Sequence, residues 1–380
     1  MAYILFWGSF FCIIFVYAGY PLVISLLALF CAKKNRADDG FTPSITMFVA
    51  AYNEEKIIES KIKNMLALDY PKDRLECYIL VDESTDKTEE IVARYAADGI
   101  RMWVQRPRQG KMSALNAMVP QARGDIVVFS DANSMYKPDA LRKLARHFRD
   151  EKIGLVCGEL RLIDAASMIA VGENFYWRYE KFLKKKESAL RQLLVVNGSI
   201  YAIRKKLFTA VDPALADDFV IPLRVAAAGY DLIYEPAAIN EEKSTETGGD
   251  EFRRKVRIIS QGLRASFTLW GEIVRGSPLR FFSFLSHKFL RWFVFLFSLV
   301  LAASNFLLSG DGFYRMILFA QAAFYAAALA GMLLDKYKMR VKLLFIPYYF
   351  CLLNLASARA LWNVLFGRSQ AMWEKAESTR

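Results

Sequence analysis

The sequence predicts an α/β domain built on a mainly parallel sheet and tied to a membrane by helices on both flanks. Apolar runs long enough to cross a bilayer lie at the two ends of the 380 residues. Between them, short β-rich runs alternate with segments of helical spacing, the pattern of a parallel sheet covered by helices on both faces. Composition agrees: 54% hydrophobic together with 24% charged residues suits a chain divided between lipid and water. It excludes a disordered chain, a collagen and a small disulfide scaffold. The five Cys have no zinc-type or redox spacing. The two His, His147 and His287, are too few and too far apart for a His-based metal site.

The first element is the uncharged run Tyr3–Ala32. A spanning helix needs roughly 20 residues, and a signal peptide would have a shorter apolar region behind a basic one. Lys33, Lys34 and Arg36 follow at once and place the next segment in the cytoplasm by the positive-inside rule. Apolar runs return at Phe289–Leu308, Tyr314–Leu334 and Leu343–Phe366. Lys336, Lys338, Arg340 and Lys342 flank the second of these, so the first two read as a hairpin that returns to the cytoplasm. The tail 367–380 carries Arg368, Lys375 and Arg380 against Glu374 and Glu377. The expected organisation is a membrane helix at 1–32, a cytoplasmic domain at 33–250, amphipathic interface helices at 251–287, about three membrane or interface helices at 288–366, and that tail. The chain is thus expected to be a multi-pass protein of the cell membrane.

Within the middle, strands are expected at Ile45–Ala50, Cys77–Val81, Ile100–Val104, Ile126–Ser130 and Ile153–Cys157. Helices are expected at Glu55–Leu68, where Ile58, Ile62, Met65 and Leu66 share a face, and at Lys87–Ala97, Lys111–Ala122 and Asp139–Arg149. Ligands of such folds bind beyond the carboxyl ends of the strands. The loops there read Ala51-Tyr52-Asn53-Glu54-Glu55, Asp82 to Thr88, Arg106 to Lys111, and Asp131-Ala132-Asn133-Ser134. Acidic and basic loops converging on one edge suit a nucleotide diphosphate with a divalent cation. Carboxylates hold the hard cation by oxygen, Lys111 at a helix start meets phosphate charge, and Asp82 is a candidate acceptor for a base. Singly, each is ordinary: a strand-end Asp often caps the next helix, Asp131 with Asn133 is often a turn, and a lone Lys is often solvated. Their occurrence after four consecutive strands argues for a site. The Gly-rich phosphate loops of nucleotidases and dinucleotide enzymes do not occur in the sequence.

In these segments the chain resembles inverting family 2 glycosyltransferases, the group with cellulose, chitin and hyaluronan synthases. The resemblance rests on Val49–Glu54, Asp82–Thr88, Gly110-Lys111 with Ala114-Leu115-Asn116, Gly124–Asn133, Asn197–Arg204, Asp217-Asp218 and Gln261-Gly262-Leu263-Arg264. It implies a GT-A fold, which binds nucleotide sugars. Asp82 is then expected to hold the base, with Ala51, Tyr52 and Glu54 bordering it and Lys111 near the nucleotide. Asp131, with Asn133, is expected to bind the Mg²⁺ or Mn²⁺ that bridges the diphosphate. Asp218 is expected to deprotonate the acceptor hydroxyl for an in-line displacement with inversion. Asp217 beside it raises the base's pKa by like-charge repulsion. Gln261 and Arg264 are expected to close on the diphosphate and acceptor. On residues alone, Asp217-Asp218 also reads as the start of a helix Phe219–Ala228, with Asp217 the cap.

Three positions depart from the family pattern. Asn133 stands where a second metal Asp is usual, Asp217 stands for a Glu, and Ala265 replaces the Trp that stacks under the acceptor sugar in processive synthases. Trp270 lies off that position on a regular helix. The implied activity is an inverting hexosyl transfer from a UDP-sugar to a growing β-linked polysaccharide. The alternative is single-sugar transfer to a lipid-linked acceptor, which the missing Trp favours; a nucleotide-sensing membrane scaffold is a third reading, against the intact Asp82, Asp131 and Asp218. Glu173–Arg191 and Asp250–Phe284 are basic and aromatic, as interface helices are. The net charge of +12 suits an anionic leaflet and an anionic donor, and no nucleic-acid motif accompanies it. The expected partners are therefore a UDP-sugar, a glycan or glycolipid acceptor and the lipid bilayer.

Overall fold

The computed structural model describes residues 1–367 apart from 35, 164–167, 245–246, 338 and 340. The tail charges, Lys338 and Arg340 lie outside the described residues.

An eight-stranded sheet forms the centre. Its strands are β1 (Ile45–Ala51), β2 (Leu75–Asp82), β3 (Ile100–Gln105), β4 (Ile126–Asp131), β5 (Met135–Tyr136), β6 (Ile153–Ile163), β7 (Ile200–Arg204) and β8 (Asp231–Lys243), in the order β3-β2-β1-β4-β7-β6-β8-β5. The strands β3, β2, β1 and β4 are mutually parallel. β7 is antiparallel to both β4 and β6, β6 pairs with β8 in parallel, and β5 is antiparallel to β8, so the sheet is mixed. β1 and β4 are buried along almost their whole length, as strands covered on both faces must be. Alternate residues feed two cores: Phe48, Leu80, Val127 and Phe129 face one, and Met47, Val49, Ile79 and Val128 the other.

Register positions the chemistry. Ala51 pairs with Val81, Asp82 with Gln105, and Ala50 with Asp131, so the ends of four parallel strands reach one edge. Because β7 runs the opposite way, with Ile200 opposite Ser130, the segment before it (Asn197-Gly198-Ser199) arrives at that same edge.

The helices are shorter than their sequence patterns suggest. The one expected from Glu55 spans Ile58–Leu66; before it, the Glu54 and Glu55 N–H groups donate to Thr88 Oγ1 (2.8 Å) and Asp86 Oδ2 (3.0 Å), so these two residues belong to the loop. Lys111–Met118 ends in a tight turn at Val119–Gln121 that contains Pro120. Thr88–Ala93 and Ala140–Ala145 are likewise trimmed.

Among the described residues, three helices are long and apolar enough to cross a membrane: Ala2–Cys31, Gly312–Lys336 and Leu343–Leu365. The run expected at Phe289–Leu308 is not one straight helix. Pro278–Trp292 and Val294–Leu307 meet at a 60° bend. The helix breaks at Phe293, and Arg291 and Lys288 just before it reach Glu180 at 2.6 Å and 2.9 Å, tying the first arm to the helix Met168–Ala189. The aromatic face of that helix packs on two of these long apolar helices. Tyr179 donates to the Val16 and Tyr17 carbonyls, and the Tyr176 and Tyr349 rings lie 6.2 Å apart.

Candidate active site

The loops after β1 and β2 are laced together. Asn53 has φ of 51°. This conformation is one that Asn tolerates better than most side chains. Its carboxamide accepts from the Thr85 N–H at 2.7 Å and donates to Thr85 Oγ1 at 3.1 Å. The Lys87 N–H donates to Glu55, and the Thr88 N–H to Asp86. Glu54 is buried beneath this layer, with Ala51.

Asp82 ends β2 with its carboxylate turned to the loop after β3. It accepts from Gln105 Nε2 (2.6 Å), the Gln109 N–H (2.9 Å) and the Gly110 N–H (2.9 Å). Gly110 has φ of 89°. A side chain there would strain the backbone, and this glycine lets the loop turn straight into the helix Lys111–Met118. Arg108 lies 3.7 Å from Asp82 and stacks on the Tyr52 ring at 3.5 Å, which gives the pocket edge a cationic, aromatic wall.

Lys111 is the hub of the site. Its ammonium donates to Asp131 Oδ1 at 2.9 Å and lies 3.5 Å from Asp217 Oδ2. Burial alone would lower its pKa, but the charges of Asp131, Asp217 and Asp218 outweigh that and hold it above the ordinary lysine range. Asp217 also accepts from the buried Tyr201 hydroxyl at 2.8 Å. The helix carrying both carboxylates spans Asp217–Ala227, and its cap is Ala216. Asp217 therefore is not the cap expected from sequence: its side chain is drawn off to Tyr201 and Lys111.

Asp218 lies against Gly198, where a Cβ would sit only 3.2 Å from Asp218 Oδ2. Burial, then the neighbouring Asp217 charge, pushes its carboxyl up to about 7, while Lys111 and Lys184 pull it back. Lys184 is fixed by Asn197 Oδ1 at 2.5 Å. The Asp131 carboxylate is part-exposed and Asn133 is buried, in a turn closed by the Ser134 N–H on the Asp131 carbonyl at 3.2 Å. Among the described residues, no group of three or more His, Cys, Asp or Glu comes together to hold a metal. A cation here would take one or two protein oxygens and complete its shell from phosphate and water, which is how Mg²⁺ is commonly held.

Gln261 and Arg264 lie on the helix Gly248–Thr268. They line a crevice with Arg257, Ser260, Ala214 in the loop leading to Asp217, and Asn363 of the last long apolar helix. Ala265 has 0% exposure and belongs to the core, so the face that would carry the stacking Trp is closed by packing. Trp270 packs on Phe281, Phe284 and Phe289 instead.

The sequence singled out the segment Asn197–Arg204 as a whole but gave no individual role to four groups. Lys184 and Gly198 shape the surroundings of Asp218, and Tyr201 holds Asp217. Arg257 faces the site: burial and the Arg254 charge lower its pKa to about 10, against the pull of Asp218 and Asp131. A signal for Arg257 was present, since Arg257, Gln261 and Arg264 recur at the spacing of one helix face. The others depend on which strand neighbours which, and only the fold supplies that.

Acidic and basic loops gathered at the carboxyl edge of the sheet define an α/β domain with its candidate site where such folds bind ligands. Residues 46–211 match the family model described as glycosyl transferase family 2. The chain carries a glycosyltransferase family 2 domain and is a transferase. It is 28% identical over 312 residues to the probable glycosyltransferase YdaM of Bacillus subtilis (strain 168), covering 74% of this chain and 72% of that one. It is 25% identical over 291 residues to the beta-monoglucosyldiacylglycerol synthase of Nostoc sp., covering 71% of this chain and 59% of that one. It is 27% identical over 225 residues to the poly-beta-1,6-N-acetyl-D-glucosamine synthase of Staphylococcus aureus (strain COL), covering 57% of this chain and 54% of that one. The chain therefore spans less than two thirds of the length of the last two. Among solved structures, the mannosyltransferase PcManGT from Pyrobaculum calidifontis, in complex with GDP-Man and Mn²⁺, matches with a TM-score of 0.74 and 22% identity over 96% of this chain and 100% of that one. The sheet is thus of the GT-A-like mixed kind.

Proposed function

We propose that this protein transfers a sugar, with inversion, from a nucleotide diphosphate sugar to an acceptor hydroxyl at the membrane surface, with Asp218 as the base. The observation that carries this reading is the convergence of Lys111, Asp131 and Asp217 on one point with Asp218 beside them, at the edge where the nucleotide loops meet.

In this reading Tyr52, Arg108 and Asp82 border the base. A carboxylate has about four acceptor sites. Asp82 spends three of them on the loop, which leaves one toward a base N–H. Lys111 lies beside the diphosphate. Asp131, with Asn133, would hold Mg²⁺ or Mn²⁺; when bound, the cation supplies neutralisation of charge on the leaving diphosphate. Asp218 accepts the acceptor's hydroxyl proton as the new C–O bond forms at the anomeric carbon and the bond to the diphosphate breaks. Its raised pKa matches a base working near neutral pH. Arg257, Gln261 and Arg264 lie on the acceptor side of that reaction.

Single-sugar transfer to a lipid acceptor is the finer reading favoured here. Ala265 is packed into the core, which removes the stacking platform expected of processive synthases, and Asn363 of a membrane helix lines the crevice of Gln261 and Arg264. Extension of a β-linked polysaccharide from a UDP-sugar is the second reading, supported by the likeness to the poly-N-acetylglucosamine synthase. With the catalytic domain in the cytoplasm, the donor comes from that side.

The test is incubation of the purified protein in lipid nanodiscs with a panel of UDP- and GDP-sugars and Mg²⁺ or Mn²⁺. Diphosphate release and product size are recorded, with Asp218→Asn as control. A one-sugar glycolipid supports the favoured reading and a long glycosidase-sensitive polymer replaces it with the second. Absence of diphosphate release from every donor contradicts both.

A further inference from the structure

Lys61 is a charge where the helical pattern calls for an apolar residue. It lies on the face of Ile58, Ile62 and Met65, and like Ile58 and Ile62 it has 0% exposure. Burying an ammonium is costly unless it is bonded. Its partners are not carboxylates: among the described residues the ammonium donates to Ser130 Oγ at 2.9 Å and to the Ser134 carbonyl, and it sits 4.4 Å from the centre of the Tyr136 ring.

Those two oxygens bracket one turn. Ser130 precedes Asp131, and Ser134 follows Asn133. Lys61 thus grips both ends of the turn from below, on the side away from Lys111. The turn is anchored further by the Ser134 hydroxyl, which donates to Glu242 Oε1 at 2.6 Å. Glu242 Oε1 also accepts from Asn240, whose amide donates on to Ser199 Oγ at 3.2 Å. The Tyr136 hydroxyl donates to the Ser199 carbonyl at 3.0 Å, so the same buried layer supports the Gly198 wall of Asp218. Desolvation lowers the Lys61 pKa to about 7 against the pull of Asp131 and Glu242, a sign that the ammonium is held there at a cost in stability.

We infer that Lys61 is a positioning residue for the cation site: by clamping Ser130 and Ser134 it fixes the turn that presents Asp131 and Asn133, without touching the substrate. This rests on the proposed reading of Asp131 and Asn133 as the cation's protein oxygens. Outer-shell groups of this kind set metal affinity because they fix the ligand's orientation in advance.

The experiment measures Mn²⁺ binding by electron paramagnetic resonance, with the full chain in nanodiscs and UDP or GDP added, for the parent protein, Lys61→Met and Ser130→Ala. Thermal melting without ligand is recorded alongside. The expected result for Lys61→Met is a loss of Mn²⁺ affinity of about 10- to 100-fold, with metal-free nucleotide binding unchanged. Ser130→Ala keeps the charge and the volume and is expected to weaken Mn²⁺ binding by about fivefold, the worth of one hydrogen bond. It serves as the deciding variant if Lys61→Met does not fold. A lowered melting temperature with unaltered Mn²⁺ affinity in the folded variants makes Lys61 merely structural and overturns the inference. A parent protein that binds no Mn²⁺ with either nucleotide overturns the cation reading of Asp131 itself, a separate failure from the first.

Discussion

The loops after β1, β2 and β3 and the surroundings of Asp218 meet at one edge of the sheet but are held in different ways. The first are fastened to one another by hydrogen bonds among strand-end residues: Asn53 to Thr85, Glu54 to Thr88, Asp82 to Gln109 and Gly110. The second are assembled from distant elements: Lys111 from one helix, Lys184 from the amphipathic helix, Gly198 before β7, and Arg257 from the helix Gly248–Thr268. A nucleotide presents the same diphosphate and ribose to every enzyme that uses it, and a self-contained set of loops can meet it. An acceptor varies, and groups delivered by separate helices can be changed without rebuilding the sheet.

Substitutions on the two sides should therefore separate in kinetics. The largest effect is expected for Asp218→Asn, which removes the proposed base and should cut transfer by about 10²- to 10⁴-fold while nucleotide binding, followed by calorimetry, stays as it was. Lys111→Met comes next and tests the point where the two sides meet. It leaves Asp131, Asp217 and Asp218 uncompensated, so nucleotide-diphosphate affinity should fall by about tenfold or more, as charge-assisted bonds to phosphate are lost. Asp82→Ala should raise the donor KM by about tenfold through release of the Gln109–Gly110 loop, with the acceptor KM unmoved. Arg257→Gln should do the reverse, raising the acceptor KM by about fivefold with the donor KM unmoved. If both substitutions shift both constants equally, the division between the two regions fails. The smallest effect concerns stability. An acid whose folded pKa is raised costs stability once it ionises, so the Asp218 penalty is absent below its ordinary range near 4 and complete above about 7. Asp218→Asn should accordingly raise the melting temperature by a few degrees at pH 8 and leave it unchanged at pH 4.

This division also explains what could be read from the residues in advance. The strands β1 to β4 and β6 announce themselves by continuous apolar runs, and their loops by dense polar residues. The placement of Asp82, Lys111 and Asp131 at one edge follows from a parallel sheet alone. The start of the first helix was placed too early because Glu54 and Glu55 belong to the loop layer, bonded to Thr88 and Asp86 of the next loop, a pairing that only the fold reveals. The antiparallel β7 could not be foreseen, since nothing in Ile200–Arg204 states its direction, and with it went Gly198 and Tyr201. The tie between Arg291 and Glu180 was hidden because Arg291 reads as a tolerated charge in an apolar run until the fold brings Glu180 beside it. Lys61 was legible as a break in an apolar face, but its meaning lies in Ser130 and Ser134, which belong to another element.

The proposed reaction stands or falls on the ionised Asp218 taking the acceptor's proton, with Asp217 setting its pKa. The most direct test is the pH dependence of kcat/KM for sugar transfer, with whichever donor releases diphosphate, in the parent protein and in Asp217→Asn. A base must be ionised, so the parent rate should rise with pH through about 7 and level above it. Removing the neighbouring negative charge should move that acid limb to lower pH. An acid limb that stays in place in Asp217→Asn, or a parent rate that is flat down to pH 5, would contradict the assignment.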